Sequence, residues 1–270
     1  MGFIDSENIF DFCRTYDWQK RLNDLEDILL NERWNFIFPK EDVRNTKNPI
    51  LENYIKHIFK RAYQVEKEKT GIIALSADGN YMCFNLGLFT KQYERVYFYL
   101  KKEMKSDDDK SWSFMGFEKE SSSNLFVFDE LPQRITFFSS IEDLVFDINC
   151  PLRINSAHIL SDPANVSRLP IELQSAPNLL TLFNGAVEIA KKKVEANYKV
   201  AVPQYYNGQI QFLLPLSLSK DIETVDVVMA VSKNGKFYRG NTCLTLDMAY
   251  NNARLIAKPD TPWILTATGE

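Results

Sequence analysis

The chain has 270 residues, 45% of them hydrophobic and 25% charged, with a formal net charge of -4. That balance excludes an intrinsically disordered chain or a fibrous repeat, and the length suffices for a full core without covalent staples. The mildly acidic total disfavours duplex DNA, whose binding depends on neutralising phosphates.

The first part reads as helical. Residues 1–8 lack a basic run followed by an apolar run, so no secretory leader is expected. Ser6 is placed to cap a short helix through Ile9, Phe10 and Cys13, and Asp17 a second through Leu22, Leu25, Ile28 and Leu29. Pro49 opens the clearest helix, with Leu51, Tyr54, Ile55, Ile58, Phe59 and Ala62 on one face. His57 falls among the polar residues opposite and is expected at the surface. Strand-like runs follow at 72–75 and 81–85, around an Asp78-Gly79 turn, then at 96–100 and 112–117 across an acidic loop at 106–111. Alternation at 135–138 suggests a further strand, and Ser140 with Asp143 suggests a helix cap.

The last third carries a long helix with Leu179, Leu182, Phe183, Ala186, Ala190 and Val194 on its buried face. Residues 200–214 form a hairpin pattern around Asn207-Gly208, and a second surrounds Asn234-Gly235. A strand at 242–246 then runs into a short helix that Asp247 is placed to cap. No internal repeat is visible. Hairpins imply antiparallel pairing, and helices segregated from them imply an α+β fold: a helical N-terminal part, a mainly antiparallel sheet and a long helix in the C-terminal third. The expected organisation is a single compact domain over 1–270, with a weak subdivision near 160–175.

Nucleophile, P-loop, dinucleotide and zincin motifs are absent. Cys13, Cys83, Cys150 and Cys243 are far apart and only two histidines accompany them, so neither a disulfide nor a zinc site is expected. Reduced cysteines and the lack of any apolar run of membrane length fit a cytoplasmic protein away from membranes. Lys233-Asn234-Gly235 resembles a degraded lysine motif of covalent nucleotidyltransferases, yet turn geometry accounts for Asn-Gly there. Lys191-Lys192-Lys193 lies on the long helix, with Glu188 placed to pair with Lys192 at i, i+4.

Two groups of residues stand out as candidate ligand contacts. Gln204, Tyr205 and Tyr206, with Gln209 and Gln211, flank the first hairpin turn, where tyrosines and amides either stack and read a base or close a core. Asp247, Asn251 and Arg254 fall near one side of the following helix, either as a polar ligand site or as a cap and internal salt bridge.

Several stretches also resemble a known family. Phe84-Asn85-Leu86-Gly87-Leu88-Phe89-Thr90 with Tyr93-Glu94 is one. Val202-Pro203-Gln204, Leu214-Pro215-Leu216, Asn241-Thr242 and the segment 244–256 are the others. From about Trp34 to Trp263 the chain resembles an uncharacterised bacterial family, domain-of-unknown-function family 3825. The resemblance implies no activity, cofactor or catalytic residue. Its members sometimes occur beside cold-shock or other RNA-binding modules, which implies an RNA-related setting. The expectation is therefore a module that binds RNA or a nucleotide-like ligand in a cleft lined by Asn85, Gln204, Tyr206, Asp247, Asn251 and Arg254, with Lys192 and Arg254 meeting phosphate. The alternatives are a metal-dependent enzyme acting on nucleotides or RNA ends through Asp247, and a protein-interaction scaffold.

Overall fold

The computed structural model describes residues 6–37, 47–69, 71–103, 111–219 and 221–265. The acidic stretch 106–110 and residues 1–5 lie outside the described residues. The fold is α+β, and the chain divides into two compact units, Met1–Thr136 and Phe137–Glu270. The stretch 160–175 lies inside the second unit.

The first unit runs α1 (Ile9–Phe12), β1 (Cys13–Arg14), α2 (Trp18–Ile28), α3 (Pro49–Glu68), β2 (Ile73–Leu75), β3 (Tyr81–Phe89), β4 (Arg95–Lys102) and β5 (Trp112–Lys119). Asn8 rather than Ser6 caps α1, its side chain accepting from the Phe10 amide, and Ser6 braces the Asn8 amide instead. Asp17 and Asn48 precede α2 and α3 in the left-handed region, without a side-chain cap bond. Pro49 starts α3, where its missing N–H costs nothing. The apolar face of α3 packs on the sheet, with the Phe59 and Phe84 rings 5.7 Å apart. The sheet order is β1-β5-β4-β3-β2, antiparallel except for β1 beside β5. Between β2 and β3 only Gly79 has a positive φ, so Asp78 serves through its carboxylate, bonded to Ser76 and Asn80. Residues 135–138 make no strand. Ile135 and Phe137 are buried and Thr136 is exposed, so the alternation reports burial while the backbone joins no ladder.

The second unit runs β6 (Leu152–Arg153), α4 (Ser156–Ser161), α5 (Pro163–Val166), α6 (Leu179–Ala196), β7 (Val202–Tyr206), β8 (Gln209–Leu216), β9 (Val227–Asn234), β10 (Phe237–Leu244), α7 (Leu246–Ala253) and α8 (Pro262–Leu265). Before β6, Ser140 and Asp143 form the expected capping box on a 3-10 turn. The order is β6-β10-β9-β8-β7, with only β6 parallel to its neighbour. α6 buries Phe183, Ala186, Val187, Ala190 and Val194 against Phe212, Leu214, Leu216, Val227, Met229 and Val231. In the first hairpin Asn207 and Gly208 both have positive φ, the geometry that Asn-Gly favours. In the second, Phe237 pairs with Asn234, so the turn residues are Gly235 and Lys236, one place later than Asn234-Gly235 predicts. Pro215 sits in β8 beyond the start of β7, where no ladder bond requires its N–H.

The two units repeat one topology that no sequence repeat announces. In each, a two-residue strand comes first and later pairs in parallel with the last strand of a four-stranded antiparallel meander. In each, a long helix precedes the meander and packs on one face of it.

Candidate functional site

The pairing register of the second sheet draws one polar row across all five strands. Gln204 pairs with Gln211, Gln211 with Ser232, Ser232 with Arg239, and Arg239 with Arg153. Residues paired across strands share a face, and this row alternates with Phe212, Val231 and Tyr238, which face α6. It therefore lies on the face turned away from α6. Beyond it, towards the hairpin turns, Phe237 pairs with Asn234 and Gln209 with Tyr206.

α7 returns over that same face, beginning beside β9 and β10 and ending over β7. Thr245, not Asp247, is its N-cap, accepting from the Met248 amide. Asp247 sits in the first turn, where a carboxylate suits the positive helix end. Under α7 the sheet is apolar and sealed, with Leu213, Val228 and Ala230 fully buried. At its margin Asn252 donates to Gln204 Oε1 (3.0 Å), and Gln204 Nε2 donates to Gln211 Oε1 (2.9 Å). These amides are buried, 1% exposed at Gln204 and 6% at Gln211, and satisfy one another. Past them the face opens. Ser232 is half-buried and bonded to Asn241, while Arg239, Arg153, Asn234, Gln209 and Asn241 are exposed and Tyr206 is 50% exposed.

Charge is distributed with the same asymmetry. The five strands carry Arg153, Lys233 and Arg239 and no acidic residue, in a chain with 36 acidic and 32 basic side chains. The Arg153 guanidinium lies 4.4 Å from the Phe237 ring centre.

The bulge between Gly240 and Thr242 sets Asn241 at this surface. Buried Asn165 on α5 secures the bulge: its Oδ1 accepts from the Cys243 amide (3.0 Å) and the Thr242 hydroxyl (2.6 Å). Arg168 adds bonds to the Thr242 hydroxyl and the Cys243 carbonyl. Burial pushes the Cys243 thiol up to about 12 and the Cys83 thiol likewise, so both stay protonated and neither supplies a nucleophile near neutral pH.

This chain matches, over residues 25–263, the family described as Domain of unknown function (DUF3825). It belongs to that family. No curated protein and no solved structure matches it. The matched span takes in β3 with Asn85 in the first unit, and β6 to β10 and α7 of the second. Among the described residues of this DUF3825 chain, no helix is long and apolar enough to cross a membrane, and no group of three or more His, Cys, Asp or Glu is placed to hold a metal ion.

The expected contact residues separate into three settings. Asn85 belongs to the first unit, where it is buried, its side chain donating to the Pro132 carbonyl and accepting from the Gly87 amide. It shapes the irregular end of β3, where Gly87 has φ +69° and a Cβ would stand 2.7 Å from Arg134 Nε. Gln204 and Asn251 lie beside Asn252, with Asp247 and Arg254 on the same helix and its C-cap. Gln204, Asp247 and Arg254 are buried and Asn251 is half-buried. Tyr206 is on the open part of the sheet. Lys191 rather than Lys192 pairs with Glu188 (2.6 Å), and α6 holds all three lysines on the opposite side of the sheet from the polar row. Sequence reading did not single out Arg153, Arg239 or Ser232 on this face, and Asn241 stood out only within a family-like stretch. The available signal was the run Phe237-Tyr238-Arg239-Gly240-Asn241, whose alternation sets a cation and an amide opposite a core tyrosine.

Proposed function

We propose that the open face of the second sheet binds single-stranded RNA or a nucleotide-like ligand. The observation that carries this reading is the in-register row ending in Arg239 and Arg153, on a sheet whose strands carry no carboxylate. Two guanidiniums suit phosphate oxygens, an exposed tyrosine suits a base face, and exposed Asn234, Gln209 and Asn241 offer donors and acceptors to base edges. Gln204 and Asn252 close this surface at its α7 margin, and Asp247 and Arg254 belong to the helix and C-cap that bound it.

Fluorescence anisotropy with a labelled single-stranded RNA octamer tests the reading. Arg239→Ala should weaken binding by about 1–3 kcal/mol, and Tyr206→Ala by a comparable amount through lost stacking. Lys192→Ala, on the other side of the sheet, should leave binding unchanged. Equal affinity in all three variants and the wild type would remove the second sheet from consideration.

A further inference from the structure

Arg153 and Arg239 sit directly opposite each other on β6 and β10. Like charges in that relation repel. Among the described residues neither guanidinium makes an ion pair or hydrogen bond, and Arg153 has only the Phe237 ring beside it. β6 is two residues long and forms one edge of the sheet. A short edge strand that sets its arginine against another arginine makes physical sense when an anion is held between them.

Tyr206 lies on β7, the opposite edge strand. Four inter-strand spacings separate the two edges, a span of about 19 Å at ~4.8 Å each. Phe237, Asn234, Gln209 and Tyr206 line the open part of the face between them, each half-buried or exposed. Stacked nucleotides advance ~3.4 Å per step along one strand, so a single nucleotide reaches one end of this path and not the other. Resting on the function proposed above, we infer that the ligand is a single-stranded oligonucleotide, about six nucleotides long at the contact. It crosses the strands with a phosphate between Arg153 and Arg239 and a base on Tyr206.

The test is competition against a labelled single-stranded RNA octamer by unlabelled AMP, a dinucleotide, a tetranucleotide, a hexanucleotide and polyglutamate. Competition should strengthen steeply with length and level off near the hexanucleotide, with polyglutamate ineffective. The slope of log affinity against log salt should shrink by about 0.7 in the Arg153→Ala/Arg239→Ala double variant, the value for the one single-strand phosphate that the two arginines share. Arg239→Ala alone should remove about half of that. Both arginines are exposed, so thermal melting should match the wild type. AMP competing as well as the hexanucleotide would overturn the oligonucleotide inference and leave a nucleotide-like ligand standing. An unchanged salt slope in the double variant would overturn the arginine clamp. Polyglutamate competing as well as RNA would overturn base recognition, and failure of the octamer and of AMP to bind at all would overturn the proposed function itself.

Discussion

In the first unit the sheet face turned away from α3 is closed: Cys83, Tyr97 and Tyr99 pack against Leu125 and Phe128 of the segment after β5. Its Tyr81 and Tyr99 rings stack at 5.6 Å with planes 8° apart. In the second unit the corresponding face is only half covered. α7 seals one end over Leu213 and Ala230 and leaves the other end polar and cationic. One topology therefore appears twice with two different covers. Closing both faces yields a core; leaving one end of a face open yields an exposed polar and cationic surface, and the proposed function rests on that surface.

The largest effect expected from this contrast is in the first core. Phe98 stacks between Phe84 (4.9 Å) and Phe114 (4.3 Å) and is fully buried. Phe98→Ala should cost about 3–5 kcal/mol in urea unfolding. A loss below about 1 kcal/mol would mean that this aromatic stack is not the core it resembles.

Next comes the difference between two arginines of the second unit. Arg254 is 5% exposed and Arg239 is exposed. A buried guanidinium persists only when its donors are satisfied, so Arg254→Ala should destabilise by about 2–3 kcal/mol. Arg239→Ala should leave the melting temperature unchanged or slightly higher, because it removes a like-charge neighbour of Arg153. Reversed effects would exchange the roles of the two residues.

Two glycines draw the same line on a smaller scale. Both Gly87 and Gly208 have positive φ, but a Cβ at Gly87 meets the Arg134 side chain while one at Gly208 meets nothing within 4 Å. Gly208→Ala should cost about 1 kcal/mol from backbone strain alone, and Gly87→Ala about 2 kcal/mol or more. Thermal denaturation of the two variants side by side checks the order.

A further effect lies in alkaline solution and is common to both units. Cys83 and Cys243 are pushed by burial from an ordinary 9.0 to about 12. The folded state thus keeps these protons where the unfolded state has released them. Their contribution to stability is full below about pH 9 and is lost as pH rises towards 12. Unfolding free energy measured from pH 8 to 11 should fall, and replacing both cysteines by alanine should flatten that part of the fall. Under native conditions half-buried Cys150 should be alkylated before either of them.

Much of the fold was legible where local chemistry speaks directly. The Pro49 helix, the face of α6 and the Asn207-Gly208 hairpin follow from spacing and turn preference, because apolar periodicity and positive φ are local properties. The second turn was displaced by one residue since only Gly235, not Asn234, takes the positive φ. The strand expected at 135–138 failed because alternation records burial without recording a partner strand. The repeated topology was invisible because pairing order leaves no mark in composition. The site was half legible. Tyr206 and Gln204 stood out as polar residues in a strand, yet which of them faces solvent depended on where α7 came to rest. Arg153 and Arg239 are 86 positions apart in number and become neighbours only through the parallel pairing of β6 with β10.

Backbone amide chemical shifts of the isotopically labelled chain, followed while a single-stranded RNA hexanucleotide is added, test the central claim most directly. The account predicts shifts concentrated at Arg153, Tyr206, Gln209, Ser232, Asn234, Phe237, Arg239 and Asn241, with β3 and β4 of the first unit unmoved. Shifts confined to the first unit, or spread over α6 and its lysines, would contradict it.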